Sequence, residues 1–260
     1  MSIRRVSSKW KKTAVLLKDP QIAVYVPETR KYNQNNLEKM LNSHRTVYVK
    51  PEHGSHGKGI MRVEKPNSSS DETHSSNESE HVLHYEKTKK TYTTVTALHQ
   101  KIQKRMNGKS YLVQRGIRLL KHQGCPFDLR VMAQKNPQGK WEATGIIGKV
   151  AAKGKIVTNI NGGGHIASFE ALLKPYLGEG GTKKFKKELN SLALKTARQM
   201  EKNYPGIKEL GLDIALDEKV RPWILEVNTS PGLYVFGYLP DKSIYRKIKK
   251  YARAYGRVRM

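Results

Sequence analysis

Asp213, Glu226 and Asn228 are the residues of this chain whose types and spacing most directly suggest chemistry. Glu226 and Asn228 stand two apart in the apolar run Trp223-Ile224-Leu225-Glu226-Val227-Asn228. Strand side chains alternate faces, so the acid and the amide share one face. A hairpin of Gly211–Leu216 with Trp223–Asn228 that sets Asp213 opposite Glu226 also sets Ala215 opposite Ile224. On its reverse face Leu212 meets Val227, Ile214 meets Leu225 and Leu216 meets Trp223. Two carboxylates ~4 Å apart repel by about 4 kcal/mol at an effective dielectric near 20. Either one is protonated or a cation lies between them. Carboxylate and amide oxygens are hard ligands that suit Mg²⁺ or Mn²⁺ and disfavour zinc. The plainer alternative is a solvated polar face on a half-buried strand.

Other groups point to phosphate. Lys50-Pro51-Glu52-His53-Gly54-Ser55-His56-Gly57-Lys58-Gly59 follows an apolar strand pattern. Its glycines let the backbone approach a ligand, its N–H groups suit phosphate oxygens, and Lys50 and Lys58 add charge. It is not a Walker A loop, because the glycine spacing differs and no Ser or Thr follows Lys58. A simple turn is the competing reading. Asp128 and Arg130 share a strand face, either as an ion pair or with Arg130 held by Asp128 and aimed at a phosphate. Asn161, in Asn159-Ile160-Asn161-Gly162-Gly163-Gly164, is a donor in a flexible turn. His53 and His56 lack the partners of a zinc site. Cys125 has no evident catalytic partner.

These residues need elements to position them. Residues 1–12 read as basic and irregular. Asn35 or Asn36 can cap a short helix carrying Leu37, Met40 and Leu41. Thr46–Pro51 reads as a strand, residues 67–80 as a mobile Ser-rich loop, and Val82–Thr94 as extended chain. Val95, Leu98, Ile102 and Met106 have helical spacing that Asn107-Gly108 ends. Tyr111–Gln114 is a strand, and Asp128–Gln134 pairs with Lys140–Ala151 across Asn136–Gly139. Phe185, Leu189, Leu192, Thr196 and Met200 mark a long helix. In the tail, Tyr245, Ile248, Tyr251 and Tyr255 alternate with Lys and Arg, as in a basic helix packed by its apolar face.

The chain has 260 residues, 49 basic and 22 acidic, for a net charge of +27. That charge attracts polyanions such as nucleic acid or acidic polymers without choosing among them. The single cysteine excludes an internal disulfide and fits a reducing compartment. No apolar run approaches the ~18 residues of a spanning helix. The expectation is a soluble cytoplasmic protein.

In order along the chain, Val26-Pro27-Glu28-Thr29, Val47-Tyr48-Val49-Lys50-Pro51, Gly54–Ile60, Phe127-Asp128-Leu129-Arg130-Val131, Asn159–Gly164, Gly211-Leu212-Asp213 and Leu225–Gly232 resemble the ATP-grasp superfamily. More narrowly, the chain resembles the YheC/YheD family of endospore coat-associated ATP-grasp proteins. The resemblance implies an α+β fold of two lobes, with antiparallel sheets and helices enclosing ATP. The N-terminal lobe is expected over 13–113, the C-terminal lobe over 114–240 and a basic tail over 241–260. It further implies that Lys50 contacts the α/β phosphates and that Gly54, Ser55, Gly57, Lys58 and Gly59 cover them. Gln114, Arg115, Gly116 and Ile117 would form the adenine hinge. Asp213, Glu226 and Asn228 would hold Mg²⁺, with Arg130 and Asn161 near the γ-phosphate.

Members of the superfamily activate a carboxylate as an acyl phosphate that an amine then attacks. Too few residues precede Lys50 for a separate acceptor-binding domain, so ATP binding is the firmer expectation and ligation the next. The implied enzyme is a carboxylate–amine ligase with an unassigned acceptor, which the positive charge suggests is acidic or polymeric. The alternatives are a non-catalytic nucleotide-binding or spore-structural protein, and a polyanion-binding protein.

Overall fold

In the computed structural model, residues 3–54, 57–66, 80–153, 158 and 163–258 are described. They divide into two units, one of residues 1–26 with 118–260 and one of residues 27–117. The segment 13–113 expected as one lobe is therefore divided between Val26 and Pro27, and the basic ends belong to the larger unit.

The chain opens with α1 (Lys9–Leu17), where an irregular segment was expected. Ser8 caps it, its hydroxyl accepting the Lys11 N–H at 3.1 Å, and α2 (Pro20–Ala23) follows with Asp19 as cap. Run length alone missed α1, because its buried stripe is Lys9, Lys12, Val15 and Leu16 and two of those four positions are charged.

The smaller unit contains β1 (Thr29–Lys31), α3 (Gln34–Ser43), β2 (Thr46–Pro51), β3 (Met61–Glu64), β4 (His81–Tyr85), β5 (Thr88–Tyr92), α4 (Val95–Met106) and β6 (Tyr111–Arg115). Its sheet is antiparallel in the order β1-β6-β2-β3-β4-β5. Leu37, Met40 and Leu41 of α3 and Leu98 and Ile102 of α4 pack with Val47, Val49 and Val113 of the sheet. The cap of α3 is Asn33, and not Asn35 or Asn36: the Asn36 N–H donates to Asn33 Oδ1 at 2.7 Å. Asn107 closes α4 in the left-handed region with φ of 46°.

The chain then returns to the larger unit through β7 (Lys121–His122), β8 (Cys125–Lys135), β9 (Trp141–Val150), β10 (His165–Ser168), α5 (Phe169–Asn203), β11 (Glu209–Leu216), β12 (Pro222–Asn228) and α6 (Ser243–Ala254). The sheet order is β10-β9-β8-β11-β12, with β7 paired to β8. α5 starts sixteen residues before the expected Phe185, running past Pro175 and breaking only at Gly178, where φ is 65°. On one face of the sheet Phe127, Leu129 and Val131 pack against Leu172, Leu189 and Ala193 of α5. On the other, Met132 and Ile147 are covered by Phe236 and by Ile248 and Ala252 of α6. The basic tail is thus a helix seated on the sheet, with Arg246, Lys250 and Arg253 exposed. Asp128 and Arg130 precede Met132 on that same face, so one side of the sheet is apolar at one end and charged at the other.

Two bulges set the registers. In β8–β9 the pairing shifts by one between Met132 and Ala133, which brings Asp128 opposite Lys149. In β11–β12 Asp213 faces Glu226 and Leu212 faces Val227, as expected, but beyond Asp213 the register slips so that Ile214 faces Ile224 and Ala215 faces Trp223. The expected pairs Ile214–Leu225, Ala215–Ile224 and Leu216–Trp223 do not form. The Ile224 N–H is taken by the Tyr25 carbonyl at 2.7 Å, outside the ladder, and Leu225 is the extra residue.

Candidate functional site

Neighbouring strands of the larger sheet bring Asp128 and Arg130 (β8), Lys149 (β9), Asp213 (β11) and Glu226 and Asn228 (β12) to one face. Arg130 stands opposite Asp213 in the ladder and donates to both of its oxygens, Nε to Oδ1 at 2.6 Å and Nη2 to Oδ2 at 2.9 Å. Lys149 Nζ reaches Asp213 Oδ1 at 3.0 Å, and the Asn228 amide donates to Oδ2 at 3.2 Å. Gly211 makes room for this pair, because a Cβ there would meet Arg130 Cδ at 3.0 Å and Pro231 Cβ at 2.6 Å.

The expected partnership of Arg130 with Asp128 does not form. Adjacent strand positions of one face point side by side, whereas cross-strand positions point at each other, and Asp213 is the cross-strand partner. Asp128 instead accepts the Thr158 hydroxyl and lies 3.0 Å from Lys149 Nζ, a close ionic contact without hydrogen-bond alignment. Burial pushes its carboxyl up to about 6, with the Lys149 ammonium opposing. Burial would also raise Asp213, but Arg130 and Lys149 hold its carboxyl well below the usual range.

Lys149 was not singled out from sequence, and neither were Lys9 and Lys12, whose ammonium groups each lie 3.7 Å from Glu226 Oε1. No sequence signal marks Lys149. For the α1 lysines the signal is available, since they stand at i and i+3 on the stripe that continues into Val15 and Leu16.

In the smaller unit Lys50 is buried on β2 and donates to Gln114 Oε1 on β6 at 2.7 Å. Gln114 Nε2 donates to Thr29 Oγ1 at 2.9 Å, and the Thr29 hydroxyl donates to the Pro27 carbonyl. Gln114, expected only as part of a hinge, thus fixes the lysine. The N–H groups of Arg115 and Gly116 are taken by the Glu28 and Thr46 carbonyls, both at 2.8 Å. Gly116 lies so close to Thr46 that a Cβ would come within 2.7 Å of its Cγ2. Gly54, Gly57 and Gly59 have φ of 123°, 71° and 77°, a region that favours glycine, and Lys58 beside them is exposed. Ser55, Asn161 and all of 67–80 except Glu80 lie outside the described residues.

Asp213, Glu226 and Asn228 are adjacent across one ladder and offer only hard oxygens to a cation. By donor chemistry they fit Mg²⁺ or Mn²⁺. Among the described residues, however, no three acid, histidine or cysteine side chains converge as a metal cage. The carboxylates are instead engaged by ammonium and guanidinium groups. Also among the described residues, no helix is long and apolar enough to cross a membrane.

Comparison with known proteins gives the family and a likeness of fold. The family described as YheC/D like ATP-grasp matches residues 3–258. Endospore coat-associated protein YheD of Bacillus subtilis (strain 168) is 28% identical over 238 residues, covering 89% of this chain and 49% of that protein. Endospore coat-associated protein YheC of the same strain is 24% identical over 230 residues, covering 88% of this chain and 61% of that protein. The chain therefore matches only about half to three fifths of the length of these relatives. The crystal structure of D-cycloserine synthetase DcsG superimposes with a TM-score of 0.55 at 11% identity, over 95% of this chain and 70% of that one, which is a likeness of fold.

Proposed function

Because the chain belongs to the YheC/D-like ATP-grasp family, we propose that it binds ATP with Mg²⁺ or Mn²⁺ and acts as a carboxylate–amine ligase-like enzyme. A substrate carboxylate would be phosphorylated to an acyl phosphate, and an amine or related nucleophile would displace the phosphate. The observation that carries this reading is the Arg130–Asp213 pair beside Glu226 and Asn228. It holds a planar cation rigidly next to a set of hard oxygen donors.

When bound, the metal nucleotide supplies the phosphoryl group and neutralises the charge that builds during transfer. The residues of the chain do the rest by position. Asp213 orients Arg130 and accepts the Asn228 amide, Arg130 and Lys149 keep Asp213 ionised, and Asp213, Glu226 and Asn228 would offer oxygen to the cation. Lys50, fixed by Gln114, would contact the α/β phosphates, and the glycine-rich stretch after it would cover them. By the family resemblance, Gln114–Ile117 would take the adenine, and Asn161 would act at the γ-phosphate. Preorganised charge of this kind suits phosphoryl transfer, which needs alignment more than a strong base.

The acceptor is proposed to be acidic or polymeric, in keeping with the net charge of +27. The names of the two relatives suggest a role at the endospore coat. They equally support a second reading, a nucleotide-binding coat protein without turnover. Glu226→Ala tests the metal assignment, since it should abolish Mg²⁺-dependent ATP binding in calorimetry. Undiminished affinity would remove Glu226 from the metal site. ADP release on a screen of carboxylate and amine acceptors separates enzyme from binding protein.

A further inference from the structure

α6 turns a row of like charge away from the core. Ile248 and Ala252 seat the helix on the sheet. Arg246, Lys250 and Arg253 are exposed on its other side, at i, i+4 and i+7, within a sector of about 60°. Among the described residues, no hydrogen bond or ion pair engages these three charged groups. Lys247, on the flank, differs, since Glu142 meets it at 3.1 Å. Asp241, just before the helix, gives its oxygens to the N–H and hydroxyl of Ser243 at 2.8 and 2.7 Å, and meets Arg246 only beyond ion-pair distance. Residues 243–260 contain no Asp or Glu. Like charges at i and i+4 weaken a helix, and no paired carboxylate offsets that here. Large apolar side chains are also exposed beside the stripe: Tyr234 is 50% and Tyr238 62% exposed. The Lys242 ammonium donates to the Gly237 carbonyl and ties their helical turn, Tyr234–Tyr238, to α6. That turn follows Asn228 by way of Pro231-Gly232, and α6 lies on the sheet face that carries Arg130 and Asp213.

We propose that the exposed face of α6, with Tyr234 and Tyr238, docks an acidic polypeptide, and that this polypeptide is the acceptor whose carboxylate is phosphorylated. Charge complementarity fixes the sign of the partner. Spacing favours a peptide. Arg246, Lys250 and Arg253 follow one another by about 6 and about 4.5 Å along the helix axis, and an extended peptide turns a side chain to one side every ~6.7 Å. A nucleic-acid strand sets a charge about every 3.4 Å, and it has no carboxylate to activate. Successive bases stack on aromatic faces, whereas Tyr234 and Tyr238 pack edge to face with planes 84° apart. The two tyrosines supply apolar contact between the charged stripe and the candidate site. The acceptor half of the proposal rests on the ligase reading, and the docking half does not.

The test uses the full chain at about 0.15 M salt, where long-range charge effects are screened. Fluorescently labelled poly-glutamate, oligothymidylate and polygalacturonate of equal formal charge are titrated and followed by anisotropy. Wild type is compared with the triple variant Arg246→Gln, Lys250→Gln, Arg253→Gln. The control triple, Lys184→Gln, Lys187→Gln, Arg198→Gln, removes the same charge from exposed positions of α5 on the opposite sheet face. The α6 triple should bind poly-glutamate at least about tenfold more weakly than wild type, and the control should stay within about twofold. Tyr238→Ala should weaken it about threefold, and unchanged affinity there would remove the tyrosines from the surface. Equal losses in the two triples would reduce the effect to net charge and overturn the docking site. Oligothymidylate or polygalacturonate bound as tightly as poly-glutamate, with the same loss in the α6 triple, would overturn the assignment to a polypeptide. Should the α6 triple fail to melt as wild type does, Lys250→Gln alone replaces it, with an expected loss of about threefold. With Mg²⁺ and ATP, poly-glutamate should raise ADP release by wild type. Binding through α6 without ADP release would leave the docking site standing and overturn the acceptor role. Failure of the ATP reading would show differently, as wild type that does not bind ATP with Mg²⁺ while the poly-glutamate difference persists.

Discussion

Arg130 lays two nitrogens on the two oxygens of Asp213, at 2.6 and 2.9 Å, from a directly opposed position on the neighbouring strand. Both side chains are only 13–14% exposed. A fork on a fork fixes the guanidinium plane as well as its place. Arg130→Ala should destabilise the larger unit by roughly 3 kcal/mol, since a buried charge loses a partner, and should reduce ATP turnover by more than about 100-fold. Arg130→Lys should recover most of the stability and little of the turnover, because one ammonium cannot occupy both oxygens. Urea unfolding and ADP release measure the two halves. Full activity in the lysine variant would show that the planar fork is dispensable.

Asp128 and Asp213 should pull stability in opposite directions as pH changes. Asp128 is raised from 3.8 to about 6, so the folded protein binds more protons than the unfolded chain between those values. Its contribution is fully present below pH ~4 and is lost as pH rises to 6, by roughly 3 kcal/mol. Asp213 is depressed, so its contribution is present above about pH 4 and lost as pH falls below that. Unfolding free energies of wild type and Asp128→Asn, taken at intervals from pH 4 to 7, isolate the first effect. A difference between them that is flat with pH would contradict the raised carboxyl.

Gly148 sits under α5 with no room for a methyl group. A Cβ there would fall 1.9 Å from Leu172 Cδ1, and Leu172 is fully buried. Gly148→Ala should cost about 1–3 kcal/mol through overpacking, read as a lower melting temperature. Adding Leu172→Ala should cost less in that background than in wild type. Equal costs in both would show that the two positions do not press on each other.

Glu209 ties both ends of the described chain to the segment following Asn228. It is fully buried and takes Arg5 at 2.5 Å, Arg257, and the Tyr255 hydroxyl at 2.8 Å. The same arginines donate to the Thr229 and Pro231 carbonyls. Glu209→Gln should lose about 1–3 kcal/mol, because two partly buried guanidinium groups lose their counter-ion. Arg257→Ala should make that loss smaller. A double-mutant cycle in urea checks the coupling, and strict additivity would argue against a shared network.

The residue pattern determined most of the long strands but not the short Thr29–Lys31, Lys121–His122 and His165–Ser168; it also determined the faces of Asp213, Glu226 and Asn228, the α4 stop at Asn107 and the long helix through Met200, since alternation and helical spacing are local properties of the chain. The ordered motifs determined the family. Neither determined which charge meets which. Carried from Lys135–Trp141 without interruption, the β8–β9 register would pair Asp128 with Gly148. Thr144, unpaired in the ladder with its hydroxyl on Gln134, moves Lys149 into that place. On β12 the Tyr25 carbonyl likewise takes the Ile224 N–H, Leu225 becomes the extra residue, and every pair beyond Asp213 shifts. A bulge moves partners by one residue and so changes faces, and it depends on groups distant in sequence. For the same reason the burial of Lys9 and Lys12 against Glu226 was decided only when α1 packed on β12.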